Sequence, residues 1–149
     1  MNMYKKFALM MVVSFIIMYA VMFLNADVLD HVMLSNTRTY MTLLMIAPMA
    51  ISMLLFMWNM YKDKRTNYII LGVSMAVFIA TLTMLRNQTL IADVQWMKAM
   101  IPHHSSAIMV SQKAHLKDAE AKKLAEDIIE AQKKEIAQMK KMIERLESY

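Results

Sequence analysis

Apolar runs without an ionisable side chain dominate the first half of the chain, and a helical alternation of apolar and charged positions dominates its last third. Residues 7–24, 39–60 and 68–85 contain no Asp, Glu, Lys, Arg or His. A helix rising 1.5 Å per residue needs about 20 apolar residues to cross about 30 Å of hydrocarbon, so each run predicts a transmembrane helix. Tyr40 and Trp58 lie about 27 Å apart along the second helix, at the depths where amphipathic rings meet the headgroups.

Beyond residue 88 the period stays helical while the composition changes. Arg86-Asn87-Gln88-Thr89 breaks the apolar run, and Thr89 or Asp93 can N-cap a new helix over about 93–115. Its predicted inward stripe is Asp93, Met97, Met100, His104, Ile108, Ser111 and His115. Leu116-Lys117-Asp118 reads as a turn, with Asp118 capping a second helix over about 119–146. The stripe predicted there is Leu124, Ile128, Gln132, Glu135, Met139, Met142 and Leu146. The short connection makes the two helices antiparallel, with Met97 and Met100 opposite Glu135 to Met139 and His104 opposite Gln132. The expected organisation is therefore a membrane region over 1–87 and a helical hairpin over 88–149. Two helices lack a second layer, so the hairpin is expected to pair with that of another chain, as a homodimer or larger homo-oligomer, or to dock on the spans.

Composition narrows the fold and the chemistry. One Gly and two Pro in 149 residues leave too few turn-formers for a multi-strand sheet, so the fold class is all-α. The absence of Cys excludes disulfides, thiolate zinc, a Cys nucleophile and Cys-held iron–sulfur clusters. The net charge of +5 is concentrated in residues 1–87, with seven Lys/Arg against three Asp/Glu, whereas 88–149 hold ten against nine. The basic balance therefore does not point to nucleic acid.

The flanking charges orient the spans. Lys5 and Lys6 precede the first, Lys62, Lys64 and Arg65 fill the second turn, and only Arg38 offsets Asp27 and Asp30 in the first turn. Lys and Arg are retained on the cytoplasmic side, which puts the N-terminus inside and the hairpin outside, in the periplasm or extracellular space. The first span reads as an uncleaved signal anchor of the cytoplasmic membrane, because its apolar core exceeds the roughly 7–15 residues of a signal peptide and Leu24 fits a cleavage site poorly. No ionisable group lies at membrane depth, which argues against a pump or a proton-coupled carrier. Pro48 should kink the second span and free a carbonyl one turn earlier, which Thr42 or Ser52 would have to relieve.

Methionine supplies 20 residues, 15 of them before residue 88. Met41, Met45, Met49, Met53 and Met57 form a stripe along the second span, readable as a thioether ladder or, more plainly, as helix packing. The segment Met97-Lys-Ala-Met100-Ile-Pro-His103-His104-Ser-Ser-Ala-Ile-Met109 carries the sharper signal. Thioether with neutral imidazole suits Cu(I) and Ag(I) better than Zn, Mg or Ca, and a thioether has no proton to lose. His104 shares the Met stripe, whereas His103 points about 100° away. The same residues also read as ordinary core, but Glu135 on an apolar stripe calls for a positive partner, a metal or a protonated His, unless it pairs with Lys98 or sits at a solvated edge.

The run from Asp93 through Met97, Met100, Pro102, His103, His104 and Met109, followed by Leu124 to Met142 with Gln132, Glu135 and Met139, resembles a ferritin-like bacterial family described as a domain of unknown function. Its members include extracytoplasmic copper-binding proteins linked to copper tolerance. The resemblance covers 93–146 and implies half of a ferritin-like four-helix bundle. It also implies metal ligation at Met97, Met100, His103, His104 and Met139, with Glu135 and Gln132 beside them. Members with two hairpins differ from this chain, which has one and a membrane region. The expected function is thus a non-enzymatic, membrane-anchored, methionine-rich protein that sequesters or passes copper, chiefly Cu(I) and also Cu(II) or Ag(I), among other copper-handling proteins. The alternative is a membrane assembly subunit whose hairpin pairs with a partner. A di-iron oxidase lacks the necessary carboxylates, and no Glu-x-x-His occurs.

Overall fold

The computed structural model describes residues 2–148. Its elements are α1 (Met3–Val21), a 3-10 turn (Leu29–His31), α2 (Asn36–Phe56), α3 (Lys64–Arg86), α4 (Asp93–Lys113) and α5 (Ala119–Glu147). Among the described residues there is no strand, as the scarcity of turn-formers predicts. The first three helices are each long and apolar enough to cross a membrane.

The chain divides into two compact units. One joins 2–21 to Thr37–Leu90, and the other joins Met22–Asn36 to 91–148. In the first, Phe7 of α1, Ala50 and Leu54 of α2 and Tyr61 of the following turn form a buried cluster, with Met53, Met57 and Leu71 against it. The methionine stripe of α2 is therefore split, because Met41 and Met45 are exposed. Asn67 is fully buried, donating from Nδ2 to the Tyr61 carbonyl at 2.8 Å while its Oδ1 accepts from the Tyr4 hydroxyl at 2.9 Å. Asp63 N-caps α3 by accepting from the Arg65 and Thr66 amides. Pro48 lies within α2, where Thr42 donates to the Arg38 carbonyl and Ser52 to that of Met49.

α3 ends without glycine. Gln88 takes a left-handed φ of 50°, letting the Thr89 amide reach the Met84 carbonyl at 2.9 Å and the Gln88 amide that of Leu85 at 3.4 Å. This is a Schellman closure, built on a residue that pays roughly 1 kcal/mol for the left-handed conformation. Leu90 repeats the departure at 59°.

In the second unit α4 and α5 form the antiparallel hairpin. Asp118 caps α5 as predicted, accepting from the Ala121 amide at 2.8 Å. The cap of α4 differs, because Ala92 occupies the N-cap position with no side-chain bond and Asp93 falls in the first turn. α4 stops at Lys113, so His115 lies in the exposed connection, off the stripe expected to contain it. Of the predicted α4 stripe, Met97, His104 and Ile108 are buried, whereas the inward face of α5 is rotated from the predicted one. The core consists of Met97, Ile101 and Ile108 from α4 and Ile136, Met139 and Ile143 from α5, whereas Leu124 is 59% exposed. Met142 and Leu146, expected on the inward stripe, lie along the edge of the seam, 37% and 38% exposed.

A second layer comes from the chain itself. The segment Met22–Asn36 lies along α4: Asn25 Nδ2 donates to Ser106 Oγ at 2.9 Å, the Asp27 amide to Ser105 Oγ at 2.8 Å and the Asn36 amide to Gln95 Oε1 at 3.0 Å. Met33 packs on the hairpin core, and Asp30 is paired with Lys140 of α5. Ser105 is completely buried, and its Oγ also lies 2.9 Å from His31 Nδ1. Because that oxygen already accepts from Asp27, its proton is free to be donated to a neutral His31.

Burial pushes His31 below the ordinary histidine value of 6.5, with Lys140 adding to the effect and Asp30 and Asp27 opposing it. A depressed value means that the docked loop gains stability above the ordinary histidine range and loses it as pH falls through the folded value. The hydrogen bond from Lys140, and then its charge, hold Asp30 below its ordinary 3.8, so its contribution is lost only in stronger acid. Amide exchange protection of 22–36 should accordingly fall between about pH 7 and pH 5 and become flat in His31→Gln. Unchanged protection across that range in the parent would contradict the docking described. The rotated core gives a second expectation. Ile136→Ala should destabilise the hairpin by about 2–5 kcal/mol, and Leu124→Ala should stay within about 0.5 kcal/mol. Thermal unfolding followed by circular dichroism measures both, and equal losses would restore the originally expected stripe.

Candidate functional site

On the side of the hairpin away from Ser105, α4 and α5 leave a cavity of about 220 Å³ lined by Trp96, His104, Glu135, Gln138, Met139 and Met142. His104 organises one end. Its Nδ1 lies 2.9 Å from the Met100 carbonyl, one turn earlier in α4, and its Nε2 lies 2.7 Å from Glu135 Oε2. A carbonyl oxygen only accepts, so Nδ1 carries a proton and the ring is fixed with Nε2 aimed into the cavity. Pro102 lies between Met100 and His104 within the helix, fully buried.

The contact with Glu135 contains one more proton. Two electronegative atoms 2.7 Å apart share a hydrogen, borne either by the imidazolium or by the carboxyl. Any cation that takes both atoms as ligands must displace it. The His104 side chain is 11% exposed and that of Glu135 is 53%, so the pair opens to water on its carboxylate side. Among the described residues no cluster of three or more His, Asp or Glu side chains could hold an ion. Met139, which lines the same cavity as His104 and Glu135, offers a thioether beside them.

The expected ligands are distributed as follows. His104, Glu135 and Met139 line the same cavity. Met97 is buried in the adjoining core beside Met139, and Met100 packs on that core while its carbonyl receives His104. His103 is exposed, its ring centroid 6.1 Å from that of His104 and tilted by 67°. His104 faces Glu135 rather than Gln132, because the non-helical residues 114–118 shift the register by almost one turn. Lys98, considered as a partner for Glu135, instead meets Glu147 at 2.5 Å and ties the open end of the hairpin. Trp96, Gln138 and Met142 were not among the expected ligands. Their positions carried a signal, since Trp96 is one turn before Met100 and Met142 one turn beyond Met139.

These residues fall within a recognised family region. The family described as "Domain of unknown function (DUF305)" matches residues 72–143, which take in much of α3, all of α4 and most of α5. The chain is also similar to "Uncharacterized protein L153" of Acanthamoeba polyphaga mimivirus, with 33% identity over 139 residues, 91% of this chain and 90% of the relative. No solved structure matches it. The alignment with the viral relative extends over the apolar helices as well as the hairpin, and with the match across α4 and α5 it makes this chain a member of the DUF305 family.

Proposed function

We propose that the chain is a membrane-anchored, non-enzymatic copper-binding protein that sequesters or passes Cu(I), and also takes Cu(II) or Ag(I), outside the cytoplasm. The observation carrying this reading is the fixed imidazole: His104 is held through Nδ1 by the Met100 carbonyl and presents Nε2 to Glu135 in a cavity that Met139 also lines. Imidazole with carboxylate suits Cu(II), and imidazole with thioether suits Cu(I). Glu135 supplies negative charge to the bound ion.

The membrane part of the reading draws support from chain connectivity. If α1, α2 and α3 all cross the bilayer, residues 22–36 and the segment after residue 90 emerge on one side. Their packing into one compact unit requires them to do so. Lys5 and Lys6 near the start of α1, Lys62 ahead of α3 and Lys64 and Arg65 in its first turn support a cytoplasmic position for the other side. A reporter active only in the cytoplasm, fused after residue 149, should give no signal; a strong one would reverse the orientation.

The metal reading is tested on the detergent-solubilised full chain by chelator competition. His104→Ala should weaken both Cu(I) and Cu(II) by about 10–100-fold. Met139→Leu keeps the core volume, usually at a cost below about 1.5 kcal/mol, and should weaken Cu(I) while sparing Cu(II). If neither substitution alters copper affinity, the cavity is ordinary core and the hairpin serves a partner protein instead.

A further inference from the structure

At one end of the apolar unit, the start of α1 is pinned against the turn between α2 and α3. The Tyr4 hydroxyl donates to Asn67 Oδ1 at 2.9 Å and accepts from the Asp63 amide at 3.1 Å. The Tyr61 ring stands 5.3 Å from that of Tyr4 and 5.8 Å from that of Phe7, centroid to centroid. Asn67 and Tyr61 are buried, so the junction is packed as well as hydrogen-bonded. Lys5 and Lys6 follow Tyr4 in α1, and Lys62, Lys64 and Arg65 surround Asp63 in sequence. The junction therefore gathers cations from segments 59 residues apart.

All five of these residues are exposed, and none forms an ion pair among the described residues. Asp63 is the only acidic residue within 2–7 and 57–68. Its carboxylate is already engaged, accepting from the Arg65 and Thr66 amides and from the Thr66 hydroxyl. Five cations against one carboxylate leave this end with a charge of +4. Aromatic rings lie beside it: Trp58 packs on the buried cluster, 5.5 Å edge-on from Tyr68, which is 65% exposed. Indole and phenol rings settle at headgroup depth, and Lys and Arg stems lie along apolar surface with the charge toward water.

We propose that this end of the unit is a binding surface for anionic phospholipid, whose phosphodiester headgroups are drawn to Lys5, Lys6, Lys62, Lys64 and Arg65. The inference rests on reading α1, α2 and α3 as spans, and it adds to that reading a preference for one class of lipid. Orientation of the spans depends only on how many Lys and Arg lie near them, whereas binding depends on their gathering in space without neutralisation. Each cation at a negative membrane face strengthens association by about fivefold, an attraction that salt screens. A free phosphate ion carries the same charge but has no acyl chain to lie against Trp58 and Tyr68.

The full-length Trp96→Phe chain, in which Trp58 is the remaining tryptophan, is reconstituted into vesicles of phosphatidylcholine and phosphatidylglycerol, one of the two brominated at a time. Bromine quenches an adjacent indole, so Trp58 emission reports which lipid surrounds this end. Phosphatidylglycerol should be favoured by about fivefold. Lys62→Gln/Lys64→Gln/Arg65→Gln should bring the preference near parity, and Lys122→Gln/Lys123→Gln on α5 should leave it unchanged. Both leaflets have one composition, so a change of orientation does not alter the result. Native mass spectrometry of lipid retained by chains keeping Trp96 gives the same comparison if Trp96→Phe does not fold. Inorganic phosphate should reduce the preference no more than sulfate at equal ionic strength; selective loss with phosphate would assign the surface to the free ion and overturn the lipid claim. Equal quenching by the two lipids, or a preference unchanged by the triple substitution, would overturn the inference and leave the spans standing. No quenching by either lipid would overturn the spans as well.

Discussion

A two-helix hairpin has a single seam to bury and two flanks to cover, and this constraint governs the arrangement of residues 22–36 and 91–148. Ile101, Ile108, Ile136 and Ile143 close the seam. One flank is covered by the loop between α1 and α2, which contributes Met33 to the core and is tied down at Ser105, Ser106 and Gln95. The other flank is left open, and the cavity lies there. Adjacent residues of α4 serve the two flanks: Ser105 faces the covering loop and His104 faces Glu135. The chemistry is thereby confined to the side that the loop does not occupy.

The loop also links the metal reading to the membrane reading. It enters from α1 and leaves into α2, so a conformational change at His31 acts on a segment whose ends are fixed in apolar helices. Its contacts are mostly hydrogen bonds to buried or half-buried groups, together with the Asp30–Lys140 pair. Such contacts open at lower cost than the isoleucine seam. The loop is thus the part of this unit most sensitive to pH, and the hairpin core is the part that persists.

Much of this was legible in the sequence. Apolar runs long enough to span a bilayer and free of ionisable groups define α1, α2 and α3 within a few residues, and Asp118 announces the start of α5. The antiparallel pairing of α4 with α5 also followed, but the register placed His104 opposite Gln132, three residues short of the Glu135 it meets. What escaped was set by interactions that periodicity does not encode. The loop 22–36 has no strong period, and its docking depends on single hydroxyl and amide bonds made across many residues of sequence. The inward face of α5 was misplaced because Leu124, Met142 and Leu146 are as apolar as the isoleucines that hold the seam, and hydrophobicity alone cannot distinguish an edge from a core position. The end of α3 offered no glycine to mark its left-handed closure at Gln88.

The central claim is that His104 and a thioether of α5 hold the same copper ion. X-ray absorption at the copper edge on the Cu(I)-loaded full chain tests it directly. The account predicts sulfur scattering together with the multiple-scattering signature of imidazole, and loss of the imidazole signature with sulfur retained in His104→Ala. A first shell of oxygen alone, or an imidazole signal unchanged in His104→Ala, would contradict it.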